Sequence, residues 1–253
     1  MSNKIKLTNY LNQYEFIYTI KETGQNVTFK PITTGQMKNL LVYEQEGMSV
    51  VEQVLDDIIT GCVTTEKFDI NALTAQDRFS LLVDIRRKSR GADYTFQIKC
   101  PKCGSMNHTG CNLDELKDIP FNPDIDKEVK LTDTLSLEFD YIRRSVQRRA
   151  TDIVEARAKK EKMNDNQKLA EIVLLTYAMS ITKFITSDGV FTQSDVELDE
   201  VVSMISSLDE KTYGKINDWF SDSTYGVDFT FELGCTDCDF KQKQEIPIAH
   251  FFG

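Results

Sequence analysis

Hydrophobic and polar positions at the start of the chain follow a strand-like pattern and then a helical one. Apolar residues alternate imperfectly over 16–20, turn-forming residues fill 22–26, and a second extended stretch covers 27–30. This pattern predicts a β-hairpin. Thr33 or Thr34 can then cap a helix, because a threonine side chain accepts a hydrogen bond from the first free backbone N–H groups.

Helical spacing of apolar residues continues in two further stretches of the N-terminal third. Ser49 is predicted to cap a second helix, which carries one apolar stripe from Val50 to Ile59. A third helix is predicted from about Thr74 to Ser89, with Gly91 at its C-terminal cap. The region 1–92 is therefore expected to combine a β-hairpin with helices.

The middle of the chain returns to strands and then becomes mostly helical. Segments 128–131 and 135–141 alternate well enough to predict a second hairpin. A charged helix is predicted over 145–162. A long helix is then expected from 164 through Phe184, apolar on most sides and so at the centre of a helical bundle. Shorter helices are predicted around 198–205 and 210–220, the latter with Trp219 in the core.

Two Cys-x-x-Cys units carry the strongest chemical signal in the sequence. Each one follows an alternating strand and precedes a polar turn and a further extended stretch. The strand–turn–strand arrangement of segment 94–113 is therefore repeated at 229–248. Two such hairpins facing each other describe a zinc ribbon, in which four thiolates bind one ion tetrahedrally at about 2.3 Å. The predicted ligands of this structural Zn²⁺ are Cys100, Cys103, Cys235 and Cys238.

Other interpretations of the cysteines fit the sequence less well than this site. Cys100-Pro-Lys-Cys103 alone resembles a redox pair, but a turn and a strand follow it instead of the helix that such a pair needs. A catalytic zinc is disfavoured because four thiolates leave no position for water. Cys62 is expected to be a small buried apolar residue, and Cys111 is a candidate stand-in ligand.

The two Cys-x-x-Cys motifs lie far apart in the sequence, and this separation determines the expected architecture. Between Cys103 and Cys235 lie 131 residues, and closing such a loop costs about 4 kcal/mol. Zinc binding, at about 10–16 kcal/mol in finger peptides, outweighs that cost. The prediction is an α+β chain in three parts: an N-terminal region (1–92), a split zinc ribbon (93–113 with 226–248), and a β-hairpin plus mostly helical insertion (114–225).

Composition and charge exclude several classes of protein. Hydrophobic residues make up 40 %, and 30 Lys and Arg oppose 40 Asp and Glu, for a net charge of −10. A negative chain disfavours a general nucleic-acid binder. No apolar run approaches the roughly 20 residues that span a bilayer, so no membrane partner is expected. Neither a Walker loop nor an HExxH helix appears, so no enzymatic activity is expected.

Two segments are candidate partner-binding surfaces. Arg86, Arg87, Lys88 and Arg90 form a basic cluster that either caps a helix on a solvated face or docks an acidic partner. Phe251 and Phe252 near the C-terminus either pack against the protein's own core or project as a hydrophobic anchor. The hypothesis is that both segments bind other proteins.

A family resemblance adds to this picture. Residues 79–91, which lead through 94–99 into Cys100-Pro-Lys-Cys103-Gly, resemble the central part of the baseplate hub proteins of T4-like contractile-tailed bacteriophages. The family's first helix is also approached by a segment similar to Pro31-Ile-Thr-Thr34. The resemblance in sequence spans roughly residues 15–145. The remainder of the chain is similar only in its predicted arrangement of elements.

The resemblance implies a non-enzymatic structural or assembly protein of the baseplate hub. It would be made in the bacterial cytoplasm, would lie in the virion baseplate or act during assembly, and would bind other tail and hub proteins. The alternative is a zinc-ribbon adaptor for nucleic acid or transcription machinery. The predicted ribbon opposes this, because its lysines are offset by acidic residues: Lys99, Lys102, Lys241 and Lys243 stand against Glu232, Asp237, Asp239 and Glu245.

Overall fold

The computed structural model describes residues 14–43, 48–248 and 251–252. Contacts divide the chain into two compact units. We call Met1–Phe68, Leu81–Leu116 and Phe229–Gly253 the knuckle unit, and Asp69–Ser80 with Lys117–Asp228 the insertion unit. The three-part division predicted from the sequence stays a prediction.

The described residues form an α+β structure with small antiparallel sheets, which confirms the predicted fold class. The helices are α1 (Thr34–Tyr43), α2 (Met48–Cys62), α3 (Ala75–Arg90), α4 (Arg144–Glu161), α5 (Asp165–Ser180), α6 (Leu198–Ser206) and α7 (Glu210–Asp222). The strands are β1 (Phe16–Thr19), β2 (Asn26–Phe29), β3 (Asp93–Lys99), β4 (Met106–Asn112), β5 (Asp118–Ile119), β6 (Glu128–Lys130), β7 (Leu135–Phe139), β8 (Ile181–Thr186), β9 (Gly189–Thr192), β10 (Gly226–Val227), β11 (Thr230–Gly234) and β12 (Lys241–Glu245). None of the helices in the described ranges is long and apolar enough to cross a membrane.

The knuckle unit consists of three separate hairpins and the helices that pack with them. β1 pairs with β2, β3 with β4, and β11 with β12, each pair antiparallel. Phe29 and Ile59 are fully buried, and the backbone of Lys30 donates a 2.9 Å hydrogen bond to the carbonyl of Cys62. At the end of α3, Gly91 adopts a φ of 84°, which suits the predicted C-terminal cap because glycine enters this region without strain.

The insertion unit contains a four-stranded antiparallel sheet in the order β6-β7-β8-β9. Its core places Phe139 in a stacked contact with Trp219, with ring centroids 5.3 Å apart. The indole N–H of Trp219 donates to the carbonyl of Asp126 at 2.7 Å, so the ring is buried with its polar atom satisfied. The predicted core position of Trp219 is confirmed.

The predicted long helix is wrong beyond Ser180. α5 ends there and the chain enters β8, where Phe184 lies opposite Leu137 of β7. Ile181, Thr182, Ile185 and Thr186 are β-branched and pack well on a pleated surface, so pairing with β7 overrides the helical spacing.

Two further helix expectations need correction. α5 is not the centre of a bundle, because its Leu169 and Val173 are 47 % and 36 % exposed and only its C-terminal half is buried. α2 begins at Met48, so Ser49 lies inside the helix and does not cap it. The segment just before Met48 lies outside the described residues.

Candidate metal centre

The two Cys-x-x-Cys units occupy equivalent turns in two hairpins of the knuckle unit. In the β3–β4 turn the Cys100 N–H donates to the Ser105 carbonyl at 2.8 Å, and in the β11–β12 turn the Cys235 N–H donates to the Phe240 carbonyl at 3.0 Å. Gly104, with φ of 77°, allows the first turn to reverse directly after its second cysteine. Each hairpin thereby presents two sulfur atoms on one side of a tight turn.

The two turns bring four sulfur atoms together. Cys100 Sγ lies 3.8 Å from Cys238 Sγ, Cys103 Sγ lies 3.6 Å from Cys235 Sγ, and all four atoms lie within 4.8 Å of one another. A tetrahedron with Zn–S bonds of about 2.3 Å has S···S edges of about 3.8 Å. The donor set and its spacing are therefore compatible with a tetrahedral metal ion.

Hydrogen bonds from outside the cluster orient the sulfurs. The Ser105 hydroxyl lies 3.0 Å from Cys103 Sγ and 3.4 Å from Cys235 Sγ, and the Asp237 N–H donates to Cys235 Sγ at 3.4 Å. Partners of this kind fix the direction of metal ligands and tune their basicity. They also favour thiolate over thiol, because a donated hydrogen bond stabilises negative charge.

The pKa values of the cysteines in the cluster are shifted in opposite directions, so the four sulfurs do not all favour the thiolate form. Hydrogen bonds from the Ser105 side chain and the Asp237 backbone lower the pKa of Cys235 to about 6, and Ser105 likewise lowers that of Cys103. For Cys238 the Phe240 N–H acts to lower the pKa. Desolvation and the sulfurs of Cys103 and Cys235 outweigh that effect and raise it to about 12. A bound cation would relieve this conflict by compensating the accumulated charge.

Asn107 is a site residue that the sequence analysis missed. Its side chain is buried, and its Nδ2 donates to the Ser105 carbonyl at 3.2 Å and points to Cys235 Sγ at 3.7 Å. Its Oδ1 accepts a 3.0 Å hydrogen bond from the Thr236 N–H in the opposite hairpin. The only feature of the sequence that could have indicated this role is a polar residue at an inward position of β4, directly after a turn.

The remaining cysteines take no part in the cluster. Cys111 pairs with Tyr94 at the end of the β3–β4 hairpin away from the turn, so its proposed role as a stand-in ligand is wrong. Cys62 is 1 % exposed, and burial raises the pKa of its thiol to about 11. That position agrees with the predicted small buried apolar residue.

The basic cluster at the end of α3 holds the C-terminal residues in the described structure. Arg86 is 6 % exposed, and its guanidinium donates to the carbonyls of Phe251 at 2.6 Å, Gly91 at 2.7 Å and Asp93 at 3.2 Å. Desolvation, and to a smaller extent Arg90, lowers the pKa of Arg86. Arg90 donates to the Phe252 carbonyl.

Phe251 and Phe252 are buried, at 1 % and 3 % exposure. The ring of Phe251 contacts Tyr94 edge-on at 5.2 Å. The projecting-anchor interpretation of these phenylalanines is therefore corrected to packing, and Arg86 is a structural partner of the tail.

The other two cations of the cluster differ in their surroundings. Arg87 is half-buried and donates to the Leu113 carbonyl and to Asp84. Lys88 is exposed, with its ammonium 5.2 Å from the ring centroid of Phe16. Partner binding by these residues stays a prediction.

Geometry and topology together define the class: an α+β chain whose two distant Cys-x-x-Cys hairpins form a zinc-ribbon-like arrangement. Comparison with protein families then identifies the particular family, because the family described as T4 bacteriophage base plate protein matches residues 11–253. The match covers nearly the whole chain, so the chain belongs to this family. Comparisons with curated proteins and with solved structures gave no match.

Membership places the chain among phage baseplate proteins and locates it in the virion baseplate. A protein of this family works among other tail and baseplate proteins. The match extends well beyond the 15–145 resemblance found in the sequence, and it includes the insertion and the second Cys-x-x-Cys unit.

Proposed function

We propose that this protein is a non-enzymatic structural or assembly component of the hub of a contractile-tail baseplate, stabilised by one structural Zn²⁺. It is made in the host cytoplasm and acts by binding other tail proteins. Family membership supports the baseplate role, and the convergence of the four sulfurs supports the metal. The convergence carries the proposal, since paired hairpins from distant parts of the chain meet at one tetrahedral donor set.

The zinc has a structural role in this proposal. The four ligands would be Cys100, Cys103, Cys235 and Cys238, and four thiolates fill a tetrahedral zinc and leave no open position for water or substrate. Asn107 and Ser105 would support them as hydrogen-bonding partners. The metal would join β3–β4 to β11–β12 and so fix the β11–β12 hairpin on the β3–β4 hairpin.

The experiment combines metal analysis with isolation of the protein's partners. We expect one equivalent of zinc per chain in the purified protein, and tail or baseplate proteins should copurify with it from infected cells. Less than half an equivalent of any metal would contradict the zinc proposal. Copurification of nucleic acid or transcription proteins in place of tail proteins would contradict the hub proposal and support the adaptor alternative.

A further inference from the structure

Charge is strongly segregated along the insertion unit. Residues 143–162 contain eight Lys and Arg but three Asp and Glu, whereas residues 188–228 contain ten Asp and Glu but two Lys. The first segment is essentially α4 and the second includes α6 and α7. Part of this charge is paired within the unit, since Arg157 of α4 contacts Asp199 of α6 at 3.4 Å, and most of the rest is exposed on the two segments.

The basic residues of α4 form one exposed face. Arg148 and Arg149 recur eleven positions later as Lys159 and Lys160, which is about three helical turns, so the two pairs align about 16 Å apart. All four side chains are exposed, and none has an ion-pair partner among the described residues. Asp152 is the single acidic residue exposed within this face, which we call the basic face.

Helix stability accounts for Lys159 and Lys160, which lie in the last turn of α4, but not for the other charges of the two surfaces. The macrodipole favours carboxylates near a helix N-terminus and cations near a C-terminus. Arg148 and Arg149 lie toward the N-terminal end of α4, whose first turn has no acidic residue. Asp218 and Asp222 lie at the C-terminal end of α7, whose last turn has no basic residue. Asp222 therefore opposes the dipole of α7, whereas Arg148 and Arg149 gain nothing from that of α4, because the dipole acts within the first and last turns.

The two aspartates of α7 form the centre of the acidic surface. Both are exposed, and neither has an ion-pair partner among the described residues. They are spaced four positions apart, so they lie on one side of the helix. These exposed charges have no ion-pair partner in the described part of the chain, so they are available for a contact with another molecule.

We propose that the basic face of α4 docks the acidic end of α7 of a second copy of this chain. Charge complementarity supports this occupant, because the chain itself presents the opposite charge on the same unit. Two different surfaces meet in such a contact, so the association is head-to-tail. The inference does not depend on zinc or on the hub assignment, since the charged groups all lie in the insertion unit.

The test is a charge-swap experiment on the full chain. Sedimentation at low and high salt compares three proteins. They are the wild type, the double variant Arg148→Glu/Arg149→Glu and the double variant Asp218→Lys/Asp222→Lys. Wild type should self-associate at low salt, and each double variant should associate at least about tenfold more weakly. An equimolar mixture of the two variants should restore association, because reversed charges on both partners are again complementary.

Controls separate docking from folding. All four reversed side chains are exposed, so the melting temperature should change little. Lys38→Glu with Lys67→Glu makes the same change in net charge as the arginine variant, at exposed positions of the knuckle unit, and should leave association intact. A wild-type chain that stays monomeric at every concentration and salt overturns the proposal. Variants that associate normally, or a mixture that fails to restore association, also overturn it. Salt-sensitive binding of the basic face to a different acidic protein, without self-association, rules out the second copy as the occupant.

Discussion

In the knuckle unit, two hairpins that are distant in sequence meet at four sulfur atoms, whereas the insertion unit is held by adjoining apolar clusters. The larger cluster includes fully buried Leu137, Phe139, Ile181 and Ile216. The knuckle hairpins, by contrast, expose much of their surface. Met106 is 53 % exposed, and β12 is polar throughout. Under the proposed function, a bound metal would stabilise these hairpins, because they bury little apolar surface of their own.

The polar contacts of the two units also differ in the atoms on which they converge. In the insertion unit, Thr74, Asp77 and Tyr225 form a buried network in which Tyr225 donates to Asp77 at 2.8 Å. Its polar atoms are satisfied by side chains and need no added ligand. Around the cysteines, the hydrogen bonds converge on sulfur, and the four sulfur atoms could hold a metal ion.

The largest expected effect comes from removing one sulfur ligand. Cys238→Ser should lose the zinc and open the β3–β4 and β11–β12 hairpins, because zinc in finger peptides contributes about 10–16 kcal/mol. Metal analysis and hydrogen exchange of the two units measure this. Exchange should rise in the knuckle hairpins and stay low in the sheet of the insertion unit.

Cys111→Ser is the matched control for the ligand variant. Cys111 is half-buried in the β3–β4 hairpin, which also carries Cys100 and Cys103, but lies outside the sulfur cluster, so this variant should keep one equivalent of zinc. Full zinc retention by Cys238→Ser would show that the sulfur cluster is not the metal site.

The second prediction perturbs the apolar core and leaves the metal site intact. Phe139→Ala should cost about 3–5 kcal/mol, because this fully buried ring contacts both Trp219 and Phe220. Denaturant unfolding followed by the fluorescence of Trp219 reports the loss, and zinc content should not change. Phe191→Ala removes a ring that is 39 % exposed and should cost much less. An equal loss of stability in both variants would contradict the assignment of the core.

The sequence predicted the sulfur cluster well, because cysteine spacing and strand alternation are local signals. It also predicted both the β6–β7 hairpin and the positions of α4, α6 and α7. It failed at Ser180, where the apolar spacing of Ile181 and Phe184 fits a helix as well as a strand. Only pairing with β7 decides between them, and pairing partners are not visible in one segment alone.

The roles of Asn107 and Arg86 were also beyond local sequence patterns. Asn107 contacts Thr236, and Arg86 contacts Phe251, and each pair is separated by well over a hundred residues. A basic cluster at a helix end is typical of a solvated cap, so burial of Arg86 could not be inferred from charge alone. Contacts of this kind depend on how the hairpins come together.

The smallest effect is expected from a partly exposed ion pair of the insertion unit. Asp140 accepts hydrogen bonds from Lys127 at 2.9 Å and from Arg143 at 3.1 Å. Desolvation acts to raise the pKa of Asp140. The hydrogen bond from Lys127 and the charge of Arg143 outweigh it, so the pKa lies below the usual aspartate value.

A lowered pKa in the folded state fixes the sign of the pH dependence. The Asp140 carboxylate contributes stability above the ordinary aspartate pKa, and this contribution is lost as the pH falls through the lower folded value. Asp140→Asn should therefore cost about 1 kcal/mol at neutral pH, and the difference from wild type should shrink in acid. Denaturant unfolding across that pH range measures it. Asp133→Asn, at a fully exposed partner of Lys130, is the control and should change little. A constant difference between Asp140→Asn and wild type at every pH would show that packing, and not charge, accounts for the effect of Asp140.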